Sequence, residues 1–303
     1  MSCVFSNPIR SRDEIEVKYL LDYGVDPNQL LSNGQYTRRI LKPYRSTILK
    51  SYGETMSPFG EAIGVSQTGS LSLVELFLKA GCDPKGIVAK LSSKPMRKLS
   101  TIITQTITAF LAVIGTRNIQ MVELFIRNGA IINPTMTDCI RRTPLQRAAE
   151  IGCFEMVELL HNFGADINTL PVVMGGATAL QLAAIGGYNR IVCYLLSHKA
   201  KVDAPAAMIN GMTALEGAAF NGWTDTVHIL LKAGAASRGE DRSQLEKAMK
   251  MAREQGHFPT ADLIQDWPNL QDDGDLRMLD DMEDDIRENE IDEFVNWDGE
   301  CCA

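Results

Sequence analysis

The strongest constraint on this chain is a motif that returns every 35 residues. The segments that begin at Thr143, Thr178 and Thr213 align without gaps, and in each of them a pair of alanines follows. A fourth copy begins one period earlier, at Thr108. A fixed period of this length is typical of repeat proteins, in which a single unit is too small to bury its own apolar face. We therefore expect the units to stack into an elongated solenoid.

Each unit is predicted to be a pair of helices. The Thr can cap the start of a first helix with its hydroxyl, and Pro144 at the next position loses only a donor that would be unpaired anyway. A glycine at a fixed place, such as Gly152 or Gly187, ends this helix because the C′ position favours a left-handed backbone. Apolar residues at helical spacing then predict a second helix, which stops at Gly164 in one unit and at Gly234 in another.

The segments Thr143-Pro-Leu-Gln-Arg-Ala-Ala, Thr178-Ala-Leu-Gln-Leu-Ala-Ala and Thr213-Ala-Leu-Glu-Gly-Ala-Ala resemble the ankyrin repeat. The resemblance implies an all-α ankyrin solenoid of helix pairs with projecting hairpin fingers, and a role in protein interaction without a reaction. Residues 142–264 look similar to the ankyrin arrays of filamentous-fungal regulatory proteins, some of which are co-regulators of transcription. Two features depart from the family. The fingers are about two residues longer, and the usual His is replaced by Gln146, Gln181 and Glu216, which can still hydrogen-bond across units.

The repeat pattern divides the chain into three regions. Residues 1–54 read as a degenerate or truncated first unit with an insertion, and Pro8 is expected to break its first helix. Either residues 1–16 form an irregular cap, or the chain is a shortened relative of a longer protein. Residues 55–266 hold the repeats at 55–85, 105–134, 140–169, 175–204 and 210–238, followed by a capping unit at 245–266. Residues 267–303 form an acidic tail that we expect to be disordered. Residues 29–54 and 86–104 are interpreted as inserted loops.

Charge and composition exclude several classes of protein. The net charge is −8, but residues 262–303 carry 2 Lys/Arg against 16 Asp/Glu while residues 1–110 carry 14 against 9. No apolar run approaches the roughly 20 residues that span a bilayer, and acidic residues interrupt the place where a signal peptide would need apolar ones. Seven cysteines at no framework spacing fit reduced thiols. We expect an intracellular protein, in the cytoplasm or nucleus, without membrane attachment.

The sequence offers no set of catalytic groups. Each of His161, His198, His228 and His257 lacks a Cys, Asp or Glu at metal-ligand spacing, and nucleotide-binding glycine patterns are absent. We therefore predict that the protein is not an enzyme and needs no cofactor or metal. The basic residues of the insertions, among them Arg38 and Lys98, could contact nucleic acid, but their spread over solvated loops argues against direct binding.

A groove along the array is the candidate binding site. In a stack of this kind, the exposed positions of the concave face are those just before each Thr and around each turn glycine. Several of these positions hold large apolar side chains, which favours a protein partner, although Ile151, Ile185 and Phe220 could instead pack between units as core. The predicted partner-binding residues are Arg142, Glu150, Ile151, Met174, Ile185, Ile209, Met212, Phe220, Asn221 and Trp223.

The tail alternates acidic residues with large apolar ones such as Leu276, Ile286 and Trp297. Three interpretations stay open: a solubility tail, a segment that folds on a partner or activates transcription, and a segment that folds back on the body. We predict a non-catalytic adaptor, monomeric, that holds a protein partner of unknown identity on its concave face. The alternative is a transcription co-regulator whose array docks on a transcription factor while the tail recruits machinery.

Overall fold

The computed structural model describes residues 6–28, 31–32, 51–65, 71–93, 104–137, 140–236 and 242–272. Most of these residues lie in short helices that follow one another in pairs. The helices are α1 (Ser6–Ser11), α2 (Glu14–Asp22), α3 (Pro58–Val65), α4 (Leu71–Lys79), α5 (Ala109–Gly115), α6 (Ile119–Arg127), α7 (Pro144–Ile151), α8 (Phe154–Asn162), α9 (Ala179–Gly186), α10 (Asn189–Ser197), α11 (Ala214–Asn221), α12 (Thr224–Lys232), α13 (Arg242–Glu254) and α14 (Phe258–Asp272).

The helix pairs stack into two layers. The first helix of each pair packs on the first helix of the next, from α1 through α3, α5, α7, α9 and α11 to α13. Second helices form the other layer, where α8 contacts α10, α10 contacts α12, and α12 contacts α14. Contacts are more extensive in the first layer because paired alanines such as Ala148 and Ala149 are fully buried and let the helices approach closely. The predicted helical solenoid is confirmed.

The helix starts follow the predicted chemistry. Thr143, Thr178 and Thr213 each accept a hydrogen bond from the backbone three residues on, and the side chain at that third position bonds back to the Thr backbone. This reciprocal arrangement is a capping box, and it satisfies two backbone donors at the helix start. Gly152 and Gly187 end their helices in the left-handed conformation, with φ of 72° and 71°. The repeated residues thus set both ends of every first helix in this part of the array.

A four-stranded antiparallel sheet stands where sequence analysis expected loops. Its strands are β1 (Leu31–Ser32), β2 (Ser51–Met56), β3 (Ile87–Ser93) and β4 (Thr104–Thr108), in the order β1-β2-β3-β4. Val88, Ala89 and Ile107 are buried, and the Ser57 amide donates to the Val88 carbonyl at 2.9 Å, which fixes the sheet to the start of α3. The interpretation of residues 29–54 and 86–104 as inserted loops was wrong at 31–32, 51–54, 87–93 and 104, because these residues pair as strands of the sheet.

The first helix pair differs from its prediction at Pro8. This proline lies within α1 without breaking it, because it occupies the first turn, where the backbone N–H groups have no intrahelical partner. Ile9 and Val17 are fully buried, and Leu20 and Leu21 pack partly against the core. The pair α1–α2 therefore lies on α3 and α4 as a further unit of the stack.

The last helix extends beyond the predicted end of the array. We expected the repeats to stop near Asp266, but α14 continues to Asp272. Trp267 is 5% exposed and its ring lies 5.5 Å from the ring of His228 on α12. Residue 267 thus belongs to the packed body. The prediction of a disordered tail over residues 267–303 was wrong at 267–272, which lie in α14, and residues 273–303 lie outside the described residues.

A candidate partner-binding groove on the concave face

The first helices and the fingers form one face of the stack, which in solenoids of this kind is the concave binding face. All ten residues predicted for this face lie in the described part of the chain. Ile209, Phe220 and Trp223 are exposed, by 44%, 36% and 44%. The other seven are half-buried. The structure groups them into an arginine-rich region at α7 and an apolar region at α11, joined by two fingers.

The arginine cluster consists of Arg142 and Arg147, which share the carboxylate of Glu150, together with Arg117, which donates to the Ile151 carbonyl, and Arg141, which lies beside Gly175. Arg142 donates from Nε and Nη2 to Oε1 of Glu150 at 3.3 and 3.1 Å. Arg147 donates to Oε2 of the same carboxylate at 2.6 Å. Two guanidinium groups therefore share one carboxylate at the end of α7, and sequence analysis had singled out only Arg142 and Glu150 of this set.

The electrostatics of Glu150 reflect this sharing. Burial alone would raise the pKa of Glu150, but the charges and hydrogen bonds of Arg142 and Arg147 outweigh burial and lower the pKa. Glu150 is thus held as a carboxylate. The side chain of Arg147 is only 2% exposed, whereas that of Arg142 is 17% exposed, so Arg142 is the member of this pair nearer to solvent.

The fingers connect the two regions of the groove. Arg142 donates from Nη1 to the Gly175 carbonyl at 3.0 Å. The Gly175 amide in turn donates to the Ile209 carbonyl at 2.8 Å, and the Ile209 amide donates to Val173 at 3.1 Å. These bonds form a parallel bridge between Met174 and Ile209 in successive fingers. A continuous set of contacts therefore runs from the arginine cluster to the finger that precedes α11.

The apolar cluster consists of Ile185, Phe220 and Trp223 around Gly217 of α11. A Cβ atom at Gly217 would lie 2.4 Å from Cγ1 of Ile185, so Ile185 lies directly on this glycine. Trp223 donates from Nε1 to the Ile185 carbonyl at 3.0 Å. Asn221 uses its Nδ2 to bond the Gly217 carbonyl at 2.9 Å. The cluster thus has a packed base, and the exposed rings of Phe220 and Trp223 lie at its surface.

Some of the apolar groove residues are exposed for a partner, and others pack between units as core. Ile151 packs against the core, and Ile185 packs between neighbouring units. Phe220 and Ile209 keep more than a third of their surface exposed. A partner could contact the second pair directly, whereas the first pair contributes to the shape of the groove.

Sequence analysis missed a series of rings that cover the turn glycines. A Cβ at Gly152 would lie 2.5 Å from the ring of Tyr188, one at Gly187 would lie 2.5 Å from the ring of Trp223, and one at Gly222 would lie 2.4 Å from that of His257. Each ring belongs to the unit that follows its glycine. The signal was present in the sequence, because Tyr188 and Trp223 are separated by one 35-residue period. Trp223 therefore has a structural role besides the predicted contact with a partner.

A set of hydrogen bonds that repeats from unit to unit joins the units at the ends of the second helices. Asn133 donates from Nδ2 to the Gly164 carbonyl at 2.8 Å and accepts from the Asp166 amide at 2.9 Å. Asn168 repeats both bonds one unit later, with the Lys199 carbonyl at 3.0 Å and the Lys201 amide at 2.9 Å. These bonds fix the base of each finger relative to its neighbour, so the fingers hold their spacing along the groove.

The histidines form contacts on the second-helix layer. His161 lies with Nδ1 2.9 Å from the Tyr194 hydroxyl, and its ring centroid is 4.6 Å from that of His198. Burial and the neighbouring His198 lower the pKa of His161. Sequence analysis did not anticipate that these two side chains meet. Among the described residues, no three His, Cys, Asp or Glu side chains are grouped as metal ligands.

Comparison with known proteins identifies the family. A model of ankyrin repeats in three copies matches residues 62–171 and 169–241, which together cover more than half of the chain. The chain belongs to the ankyrin-repeat family, whose members generally mediate protein–protein interaction rather than catalysis. The crystal structure of the human ASB11 ankyrin repeat domain is similar in fold, with a TM-score of 0.57 and 18% identity over 86% of this chain and 97% of that one. No curated protein matches the sequence. In the described ranges, every helix is too short or too polar to cross a membrane.

Proposed function

We propose that this protein is a non-catalytic intracellular adaptor that holds a protein partner against its concave face. The observation that carries the proposal is the exposure of Ile209, Phe220 and Trp223 on the face that first helices and fingers share. Exposed apolar and aromatic side chains beside a rigid base are typical anchors for a protein partner. Met174, Met212 and Asn221 would line the same contact, and Arg142 and Glu150 would set its charge. The adaptor acts as a monomer, in the cytoplasm or the nucleus.

The test is affinity capture from the source cells with the full chain and a Met212→Glu/Phe220→Glu variant. We expect the variant to lose a partner that the natural chain retains, because two carboxylates would be buried against an apolar contact. A Phe163→Glu/Phe258→Glu variant provides the matched control, since both phenylalanines are exposed, at 48% and 61%, but lie at the ends of second helices. Circular dichroism must show the same helicity for all three chains.

The outcome decides whether the groove is the binding site. Loss of a partner with the groove variant alone supports the proposal. Equal recovery of the same partners with every chain would contradict it, because binding would then depend on other surfaces of the molecule.

The second candidate function is a transcription co-regulator, supported by the alternation of acidic and large apolar residues after Asp272. A chain that ends at Asp272 tests it in a reporter assay. Deletion from residue 267 would remove buried Trp267 and the end of α14, so the later boundary is needed. Loss of activation with partner binding intact supports the co-regulator. Unchanged activation excludes it.

A further inference from the structure

We propose that the first unit of the stack docks on the last unit of a second copy of this chain. The contact joins the face of α2 that carries Ile15, Tyr19 and Tyr23 to the start of α14 at Phe258. All four side chains are exposed, by 84%, 66%, 78% and 61%. The inference goes beyond the proposed function, because it concerns the two ends of the stack and not its concave face.

The joint between α8 and α10 shows what such positions do inside the stack. The ring of Phe154, at the start of α8, lies edge to face with the ring of Tyr194 on α10, at 5.4 Å. The Tyr194 hydroxyl lies 2.9 Å from Nδ1 of His161, and the His198 ring lies 4.6 Å from that of His161. Arg190 lies over the Phe154 ring at 3.7 Å. Three positions of α10 thus pack on the second helix of the unit before it.

The same three positions of α2 lie at an end of the stack. They are the second, sixth and tenth residues counted from the start of each helix, Asn189 in α10 and Glu14 in α2. In α2 they hold Ile15, Tyr19 and Tyr23. The rings of Tyr19 and Tyr23 stack on each other at 6.1 Å and are largely exposed. Helix α2 therefore exposes the positions with which α10 packs on α8.

The tenth position is used in the same way in the last joint of the stack. Trp267 holds this position in α14, is 5% exposed, and lies 5.5 Å from the ring of His228 on α12. A large ring at this position is therefore buried when a second helix lies before it. The Tyr23 ring, at the same position of α2, is 78% exposed.

The start of α14 carries the complementary residues. Phe258 is the first residue of α14, as Phe154 is of α8, and it is 61% exposed. Gln265 holds the eighth position, which is that of His161 in α8, and it is also exposed. In the proposed joint, the Phe258 ring meets the Tyr19 ring edge to face, and the amide nitrogen of Gln265 donates to the Tyr19 hydroxyl. Such aromatic pairs stabilise a contact beyond the area that they bury.

Residues of opposite charge would meet at the turns of the joint. Asp13 caps α2 at the position from which Trp223, before α12, covers a turn glycine of the preceding unit. Across the joint, the glycine at this place is Gly256, where an added Cβ would have nothing within 4 Å. Arg253 lies three residues before Gly256 and is exposed, as is Asp13. Their opposite charges favour a contact between unlike ends over one between like ends.

Glu16 limits the strength of this joint. It is the third residue of α2, and the third residues of α12 and α14, Thr226 and Thr260, hydrogen-bond to the preceding second helix at 2.6 and 2.7 Å. A carboxylate at such a position costs free energy when it is buried. We therefore expect a weak joint. The adaptor is then a monomer when dilute, and its groove extends from one copy to the next when the chain is concentrated.

Sedimentation velocity of the full chain measures the association. Because one end binds the other, every complex keeps a free end at each side, and the average mass should rise past that of a dimer. We expect this rise between about 1 µM and about 500 µM, the range of weak contacts. Glu16→Ile should tighten the association about tenfold, because it removes the carboxylate from the joint. Hydrogen exchange of α2 should slow as the concentration rises.

A mixture of two variants tests the direction of the joint. Tyr19→Glu changes only the first end and Phe258→Glu changes only the last end, so each variant alone should stay monomeric. Their equimolar mixture should form a dimer and nothing larger, because one intact joint remains. Phe163→Glu is the matched control and should associate like the natural chain, since Phe163 is 48% exposed at the end of α8, in an inner unit. Should Tyr19→Glu reduce helicity, Ile15→Glu takes its place.

Four results would overturn the inference. A natural chain that stays monomeric at every concentration would show that the ends do not bind. Association that survives both Tyr19→Glu and Phe258→Glu would place the contact elsewhere. Loss with one of these variants but not the other would indicate a symmetric contact between like ends. Protection of α2 that is independent of concentration would assign its face to another segment of the same chain.

The groove experiment stays separate from this one. Capture of a partner that depends on Met212 and Phe220 does not require the two ends, and the control chain of that experiment carries Phe258→Glu without a change in the groove. The proposed function can therefore hold when the joint fails, and the joint can form when the groove binds nothing.

Discussion

At Gly187, one hydrogen atom in place of a methyl group allows two units to fit together. Its φ is +71°, and an added Cβ would lie 2.5 Å from Cδ2 of Trp223. We expect Gly187→Ala to lower the free energy of unfolding by about 2 kcal/mol or more, since it combines backbone strain with displacement of the ring. Urea unfolding followed by circular dichroism measures the change.

Gly164→Ala is the matched control for this substitution. Gly164 has a φ of +86° and nothing within 4 Å of an added Cβ, so only the backbone strain applies. Its expected cost is about 1 kcal/mol. Equal losses for the two variants would contradict the role of Trp223 in holding the turn.

Glu150 makes the stability of the protein depend on pH. The two guanidinium groups keep the pKa of Glu150 below its ordinary value. The stabilising contribution of Glu150 is therefore fully present above the unfolded pKa of about 4.3 and is lost as pH falls through the lower folded pKa. We expect Glu150→Gln to be less stable than the natural chain at pH 7, with a difference that shrinks as the pH falls below about 4.

Thermal unfolding between pH 7 and pH 3 tests this expectation. Asp262→Asn, which changes an exposed carboxylate on α14, serves as a control whose effect should vary little over the same range. A difference between Glu150→Gln and the natural chain that stays constant with pH would show that the guanidinium groups do not stabilise the carboxylate.

Individual residues were predictable where the repeat itself demanded them. The helix-ending glycines and the capping threonines follow from backbone geometry, and the structure confirms them. Arg117 was not predictable in this way, because a non-glycine residue with a φ of 61° stands at the same position of its unit. Its side chain bonds the Ile151 carbonyl of the next unit, a contact that depends on how the units are placed in space.

Among the elements, the capping-box glutamines of α7 and α9 connect these first helices to the fingers that follow. Gln181 accepts from the Thr178 amide at 2.9 Å and donates to the carbonyls of Ala204 and Pro205 at 2.8 and 3.2 Å. We expect Gln181→Met to keep the side-chain volume but to lower the free energy of unfolding by about 2 kcal/mol, because buried polar groups lose their partners. Chemical denaturation measures the loss.

A glutamine outside any such box provides the comparison. Gln120 is exposed on α6, and Gln120→Met should change stability by no more than about 0.5 kcal/mol. If both variants cost the same, the bonds to the finger contribute nothing beyond the helix propensity of the residue.

Contacts of the capping residues were predictable from the local sequence, whereas the sheet was not. Of the residues that replace the family's His, Gln146 and Gln181 bond the finger at the end of their own unit, whereas Glu216 bonds across units through its ion pair with Lys247 at 2.8 Å. The sheet was not predicted, because its strands come from separate insertions. Residues 51–56 and 87–93 pair although the helices α3 and α4 lie between them in the sequence.

For the whole molecule, stability should vary along the stack. Inner units are covered on both sides, whereas α2 packs chiefly on α1 and α4 among the described elements, and Tyr19 and Tyr23 are 66% and 78% exposed. We expect amide hydrogens of α9 and α11 to exchange much more slowly than those of α1 and α2, because a stack opens from its ends.

Hydrogen exchange with peptide-level mass spectrometry measures this gradient. The Gly187→Ala variant described above gives a check, since it should raise exchange most in the units on either side of Gly187. Uniform protection from α1 to α14 would contradict the gradient and would show that the array unfolds as one cooperative body.

The sequence predicts which positions line the groove, but it does not predict how their side chains are arranged on its surface. Hydrogen bonds from Arg142 to Gly175 and from Gly175 to Ile209 bring some of the predicted positions together, and the sharing of one face by the whole set stays a prediction. Their separation into an arginine cluster and an apolar cluster depends on long side chains, such as Arg147 and Ile185, whose directions the sequence does not specify. Whether these residues bind a partner stays a prediction.

The covering of each turn glycine by the ring of the following unit makes the units interchangeable. Removal of one full period between Gly152 and Trp223 would place Trp223 over Gly152, with the same kind of contact that Tyr188 makes now. Removal of a number of residues that is not a whole number of periods would leave a turn glycine uncovered and a ring without a glycine to pack on. The array can therefore lengthen or shorten by whole periods during evolution while every ring–glycine contact between units is kept. The length of its groove can change without further substitutions within the units.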